Sequence, residues 1–229
     1  MRKVISFLLL AGFVFYFATL TGGLIIPDSS ADRNSVGLDI LSRSAGETGS
    51  ANAVTSVVVL YRGFDTLGEV TVLFLAALGV SVFMKSTGEK RKKVLDQSFI
   101  LKTGSRLLFP LMFLFGMYII AHGHLSPGGG FPGGVIIATG FFVILLTSES
   151  VNFNKTLMSV LEGLAGLSFI GLGVVGLLGP GNSFLQNFLP LGEFNTVFSA
   201  GIIPLIYAVV GIKVGAELSS VVYAMKESK

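Results

Sequence analysis

The sequence predicts an all-α membrane protein, a helical bundle of about six transmembrane helices with both termini cytoplasmic. Three observations predict it. Of 229 residues, 52% are hydrophobic and only 13% charged, where a soluble domain carries about 25% charged residues. The apolar residues gather in six stretches, roughly 4–26, 54–84, 104–121, 133–148, 157–179 and 197–222, each near the ~20 residues a bilayer requires. The basic residues between them are unevenly placed. With the N-terminus inside, Arg2, Lys3, Lys85, Lys90, Arg91, Lys92, Lys93, Lys102, Arg106, Lys155, Lys226 and Lys229 fall on the inner side. Only Arg33 and Arg43 fall outside, and Arg62 and Lys213 lie within spans, which accounts for all 16 basic residues. That bias is the positive-inside signature.

The first stretch follows Met1-Arg2-Lys3. Its apolar run, Val4 to Leu20, exceeds the roughly 7–15 residues of a cleaved signal peptide and continues through Gly22-Gly23 to Ile26, so a retained helix is expected. Residues 27–52, rich in Ser, Gly and Asp, read as a loop outside the membrane. The second stretch is long for one span and begins as a surface helix, tilts, or breaks near Gly63 or Gly68. The basic run between Lys85 and Lys102 reads as a cytoplasmic linker. It divides the chain into a two-span unit, 1–86, a linker, 87–103, and a four-span unit, 104–229.

Inside the second stretch stands Tyr61-Arg62-Gly63-Phe64-Asp65-Thr66-Leu67-Gly68-Glu69. On one continuous helix, Arg62, Asp65 and Glu69 share a wedge of roughly 60°. A charge at the bilayer centre costs roughly 2.5–3.5 kcal/mol on insertion scales. Three charges on one face therefore want a partner protein, water or each other. In one reading Arg62 pairs with Asp65 and Glu69 and the cluster locks helix packing. In a variant of it, Arg62 sits at the outer interface and only Glu69 is deep. In the other, the carboxylates are stations for protons or cations, since ionisable residues inside a membrane are functional by default.

The third stretch ends at His122-Gly123-His124, followed by Leu125-Ser126-Pro127-Gly128-Gly129-Gly130-Phe131-Pro132-Gly133-Gly134. Gly128, Gly130 and Gly133 match G-x-G-x-x-G, but a dinucleotide site needs a preceding strand, and here a membrane helix precedes. A tight, ordered re-entry is expected, with the next helix starting near Gly133. His122 and His124 are two apart and cannot share a helical face. They read as hydrogen-bonded structural groups or as proton-access groups near the outer surface. In the fifth stretch Gly163, Gly166, Gly173 and Gly176 lie within about 140° of one another, a smooth face for close helix packing. In the last, Lys213 and Glu217 stand at i,i+4. They read as a local ion pair near the inner surface, with Lys213 snorkelling, or as part of an ion path.

Absent residue types limit the function further. There is no cysteine, and there are two histidines. That leaves little to hold a haem, an iron–sulfur cluster or zinc, so no cofactor or metal site is expected. The net charge of +3 reads as a topology signal rather than a nucleic-acid footprint. No nucleophile–base pair is visible, so the chain is not expected to be a catalyst itself.

Two parts of the chain resemble known families. Residues 100–222, with Leu107-Leu108-Phe109-Pro110, Gly123-His124-Leu125-Ser126-Pro127-Gly128-Gly129-Gly130-Phe131 and Gly133-Gly134, resemble the B subunit of Mrp-type sodium/proton antiporters, MrpB or MnhB. Its counterpart in archaeal membrane-bound hydrogenases is the F subunit. Residues 1–86, with Arg62-Gly63-Phe64-Asp65-Thr66-Leu67-Gly68-Glu69, resemble the carboxyl-terminal tail of the large Mrp A subunit, or the small E subunit of those hydrogenases. The resemblance implies a fused E-plus-B unit in the cytoplasmic membrane, a multi-pass subunit of a sodium- and proton-translocating module. Its partners would be other Mrp- or hydrogenase-type membrane subunits and the lipid bilayer, with sodium ions and protons as the transported species. Because the tail unit is fused to a B unit and not to a large A subunit, the setting implied is a ferredoxin-linked, hydrogenase-like respiratory complex. A stand-alone antiporter and a purely structural linker subunit are the alternatives. The ion-translocation candidates are Asp65, Glu69, Arg62, Lys213 and Glu217, with His122 and His124 as proton-access candidates.

Overall fold

The computed structural model describes residues 9–19, 35–86, 98–147, 154–179 and 183–228. They fold as helices joined by irregular segments. The first 42 residues form one unit and residues 43–229 another.

Of the first predicted span, the described part is helix α1, Leu9–Thr19; the remainder lies outside the described residues. The Thr19 hydroxyl donates to the Tyr16 carbonyl at 2.8 Å, and the Phe13 and Phe17 rings stack at 6.3 Å.

Residues 27–52 were expected as a loop, and part of that segment is instead helix α2, Val36–Thr48. The signals for it are local. The Ser35 hydroxyl accepts from the Leu38 N–H at 3.3 Å, an N-cap. Arg43 pairs with Glu47 at 3.2 Å across one turn, and Gly49 ends the helix at φ 69°.

The second span does break, where Gly63 was one of the expected points. A short turn, α3 (Ala53–Thr55), runs into a π-helical segment, Ser56–Tyr61. Arg62 leaves helical geometry at φ −124°, ψ 31°, and helix α4 runs from Gly63 to Ser86. The wide π turn frees carbonyls that need new donors. Arg62 N–H closes the last π-type bond, to the Val57 carbonyl at 2.8 Å, and the Thr66 hydroxyl supplies the freed Val58 carbonyl at 2.7 Å.

Four further helices follow: α5 (Phe99–His122), α6 (Gly130–Thr147), α7 (Lys155–Leu177) and α8 (Ile203–Ser228). With α4, these are five helices long and apolar enough to cross a membrane. The sixth span was expected to begin near 197 but begins at Ile203. Asn195, Ala200 and Gly201 adopt left-handed φ of 64°, 68° and 58°, which no helix accommodates. Asn187 completes the helix start: its amide oxygen accepts from Ile202 N–H at 3.1 Å.

Helix α8 is the hub. It packs against α4, α5, α6 and α7, and 56% of its spanning window is buried, against 6% for α4. Ile203, Ile206, Tyr207, Val210 and Val214 of α8 form the core with Ile120, Ile137, Phe169 and Val70. Its approach to α6 is backbone on backbone. A Cβ on Gly134 would sit 2.8 Å from the Gly211 carbonyl, and one on Gly130 would sit 2.5 Å from the Tyr207 carbonyl. Small residues permit such approach in lipid, where dispersion rather than water exclusion drives helix association. So Gly130 and Gly134 of the glycine-rich string line the α6–α8 contact, and α6 starts at Gly130, three residues before the expected Gly133. The glycines of α7 meet the expected packing face only in part. Gly166 approaches Lys213 of α8, Gly163 meets nothing within 4 Å, and Gly173 and Gly176 pack against Phe184 and Gln186 of the following irregular segment.

Candidate functional site

Three groups of polar residues stand out, and the first was not foreseen as a group. Asn52 ties two helix ends together. Its amide nitrogen donates to the Gly123 and Ser126 carbonyls, both at 3.0 Å, where α5 ends. Its amide oxygen accepts from Val54 N–H at 3.1 Å, capping α3. Beside it the Tyr207 hydroxyl donates to the Thr55 hydroxyl at 2.8 Å, which donates to the Gly123 carbonyl at 2.7 Å. Gly128 and Gly129 make the turn at φ 155° and 129°, and a Cβ on Gly129 would strike the Tyr207 ring at 2.7 Å. Asn-Ala-Val-Thr is a readable N-cap signal, but the α5 carbonyls it also serves lie more than 70 positions away.

His124 belongs to this group and is fully buried. Its Nε2–H donates to the Thr196 carbonyl at 3.2 Å, and its own carbonyl accepts from the Ser50 hydroxyl at 2.8 Å and the Asn52 N–H at 3.1 Å. Its Nδ1 is buried without a hydrogen bond among the described residues. Burial holds the imidazole below the usual histidine range; the Thr196 bond opposes this, and His122 adds to it. His122 is half-buried, stacked on Tyr118 at 4.2 Å, with Nδ1 3.1 Å from the Tyr118 carbonyl. The two histidines thus have separate surroundings.

The second group is Arg62, Asp65 and Glu69. Arg62 Nε donates to Asp65 Oδ2 at 2.6 Å, and Nη2 also pairs with that oxygen. Arg62 was expected on one helical wedge with both carboxylates. It does not reach Glu69, because the break at Arg62 removes it from the helix that carries Asp65 and Glu69. Glu69 lies on the exposed side of α4 and makes no hydrogen bond or ion pair among the described residues. Its depth is six residues past the start of α4, a rise of about 9 Å.

The third group is the Lys213–Glu217 pair. Lys213 Nζ lies 3.3 Å from Glu217 Oε2, with side chains 9% and 1% exposed. Lys213 does not snorkel to the inner surface as expected. It stands ten residues into α8, near the middle of the helix, and the Phe74 ring of α4 faces its ammonium at 5.0 Å. A carboxylate and an aromatic face beside a cation offset part of the cost of burying it.

Residues 100–220 match the family described as a domain related to the MnhB subunit of Na+/H+ antiporters. The chain belongs to the MnhB family. Residues 17–94 of this MnhB-family chain also match MbhE, the family of the MBH E subunit. A Methanocaldococcus jannaschii protein of unassigned function is 32% identical over 206 residues, covering 78% of each chain. Among solved structures, a chain of the membrane-bound sulfane sulfur reductase, an archaeal respiratory membrane complex, matches with a TM-score of 0.81. It is 41% identical, with 98% of each chain covered. The Mrp complex of Dietzia sp. DQ12-45-1b holds a chain of the same fold, with a TM-score of 0.71 and 23% identity. The match covers 97% of this chain and 26% of that one. The MnhB-family chain is a multi-pass membrane protein, with five helices of spanning length and apolarity.

Proposed function

We propose that the chain is a membrane subunit of a multisubunit Mrp-type sodium/proton translocation module within a ferredoxin-linked, hydrogenase-like respiratory complex, and that it does no covalent chemistry of its own. The observation that carries this reading is Glu69, an exposed carboxylate on a spanning helix with no counter-charge among the described residues. Facing lipid, it would cost roughly 2.5–3.5 kcal/mol if placed near the bilayer centre. A neighbouring subunit or an ion path removes that cost. The small buried share of α4 supports a subunit docked on this side. The full-length likeness to a chain of an archaeal respiratory complex supports the hydrogenase-like setting over a stand-alone antiporter.

A purely structural role is favoured by one observation: Arg62 and Asp65 already satisfy each other. Glu69→Gln separates the two readings, since it keeps shape and hydrogen bonding but removes the charge. In the translocation reading the complex assembles and sodium-dependent proton movement in membrane vesicles drops severely, while Glu69→Asp retains part of it. Normal transport by assembled Glu69→Gln leaves the structural role as the better account. Purification tests the subunit reading itself, because the chain then comes out with other membrane subunits. A monodisperse preparation of the chain alone that transports ions in liposomes contradicts it.

A further inference from the structure

The Lys213–Glu217 pair has a third member on the neighbouring helix. Two contacts set the register of α7 against α8. Lys155 Nζ lies 5.0 Å over the Tyr223 ring, and a Cβ on Gly166 would meet the Lys213 side chain at 3.9 Å. This antiparallel register brings Glu162, one turn before Gly166, level with Glu217, one turn after Lys213. Glu162 is half-buried and within electrostatic reach of Glu217.

Glu217 is incompletely satisfied where it sits. It is 1% exposed, and apart from the Lys213 ammonium at 3.3 Å neither carboxylate oxygen has a hydrogen-bond partner among the described residues. The nearby hydroxyls cannot help, because Ser219 donates to Gly215 and Ser220 to Ala216 within α8. Among the described residues the charges acting on Glu217 are those of Lys213 and Glu162; α4 presents the Phe74 ring to Lys213, while α6 and α5 meet α8 at Gly211 and Gly215, through Gly134, Ile137 and Ile120. Two carboxylates and one ammonium leave a net charge of minus one inside a spanning bundle. An uncompensated buried charge is strongly disfavoured. One proton neutralises the set and supplies the donor that Glu217 lacks.

We propose that Glu162 and Glu217 share one exchangeable proton, with Lys213 as their fixed counter-charge. This deepens the ion-translocation reading above and rests on it. Lys213 lies beside Glu217 and over the Phe74 ring as the cation of the set, and the shared proton is assigned to the carboxylates. Transfer breaks an O–H bond on one carboxyl group as an O–H bond forms on the other; no other bond changes and no electron is exchanged. Glu162, the less buried of the two, exchanges its proton with water, and Glu217 carries it into the bundle.

Infrared spectroscopy of the intact purified complex tests this without relying on transport. The wild-type complex should show a deuterium-sensitive C=O band of a protonated carboxyl group on titration with acid. That band should vanish in Glu217→Gln. It should also vanish in Glu162→Gln, where the remaining Lys213–Glu217 pair is already neutral, and Glu217→Asp should keep it. Glu217→Gln should slow proton movement by about tenfold or more, a rise of about 1.4 kcal/mol in the barrier. A band that survives both glutamine variants overturns the proposal. So does a band that sodium alone removes at constant pH, which would mark a sodium site instead. If both variants assemble and transport normally, the shared proton is wrong while the subunit reading stands. A chain that copurifies with no other subunit defeats that reading, and this inference with it.

Discussion

His124 has a fully buried imidazole with one nitrogen bonded to Thr196 and the other without a hydrogen bond among the described residues. Burial lowers its proton affinity below that of the unfolded chain. The unfolded state therefore binds the proton first, and stability rises with pH. Its contribution is complete above the unfolded value, about 6.5, and is lost as the pH falls below it. Thermal midpoints of the solubilised complex should fall between about pH 7 and pH 5, and His124→Gln should flatten that slope. An unchanged slope in the variant assigns the acid sensitivity to other groups. Sequence context allowed this histidine two readings, structural or proton access. The hydrogen bond to Thr196, 72 positions away, places it in the polar network that holds three segments together, a distance at which no spacing rule operates.

At the level of elements, periodicity located the spanning helices, but not which of their faces meet. Four glycines of α7 share a face and read as a packing stripe, yet Gly163 faces open space while Gly134 of α6 lies against the Gly211 carbonyl. Gly163→Ala should therefore be neutral or slightly stabilising, because alanine is the better helix former. Gly134→Val should push α6 from α8 and cost about 1–3 kcal/mol by overpacking. Retention of the chain in the solubilised complex and its thermal midpoint are the measurements. Equal loss in both variants would mean that the α7 stripe carries an interface with another subunit. The break at Arg62 makes a similar point. Gly63 was a readable weak spot, but the π turn before it, with Thr66 serving the freed Val58 carbonyl, takes Arg62 off the helix that the three charges were expected to share.

For the molecule as a whole, the distribution of basic residues implies cytoplasmic termini and outer segments near 27–52 and 180–195. Single cysteines at Ser30 or Ser183 should react with an impermeant thiol reagent added to intact cells, and a cysteine at Thr87 should not. Labelling of position 87 from outside overturns the arrangement.

The sequence by itself determined the class, the helices and the family. Each depends on local composition: long apolar runs, basic segments between them, and two short motif strings. Helix α2 was also legible, in Ser35, the Arg43–Glu47 pair and Gly49, though its polar composition read as loop. The Arg62–Asp65 and Lys213–Glu217 pairs were also readable from their i,i+3 and i,i+4 spacing, and both form; only the tertiary structure decided which of these charges are buried and which face outward. Arg62 closes on Asp65 and leaves Glu69 exposed. Lys213 sits buried in mid-helix between Glu217 and Phe74, and the register of α7 on α8 brings Glu162 level with Glu217. Those outcomes depend on backbone approach between helices distant in sequence. A helical period can say which residues share a face, but not which face another helix will cover.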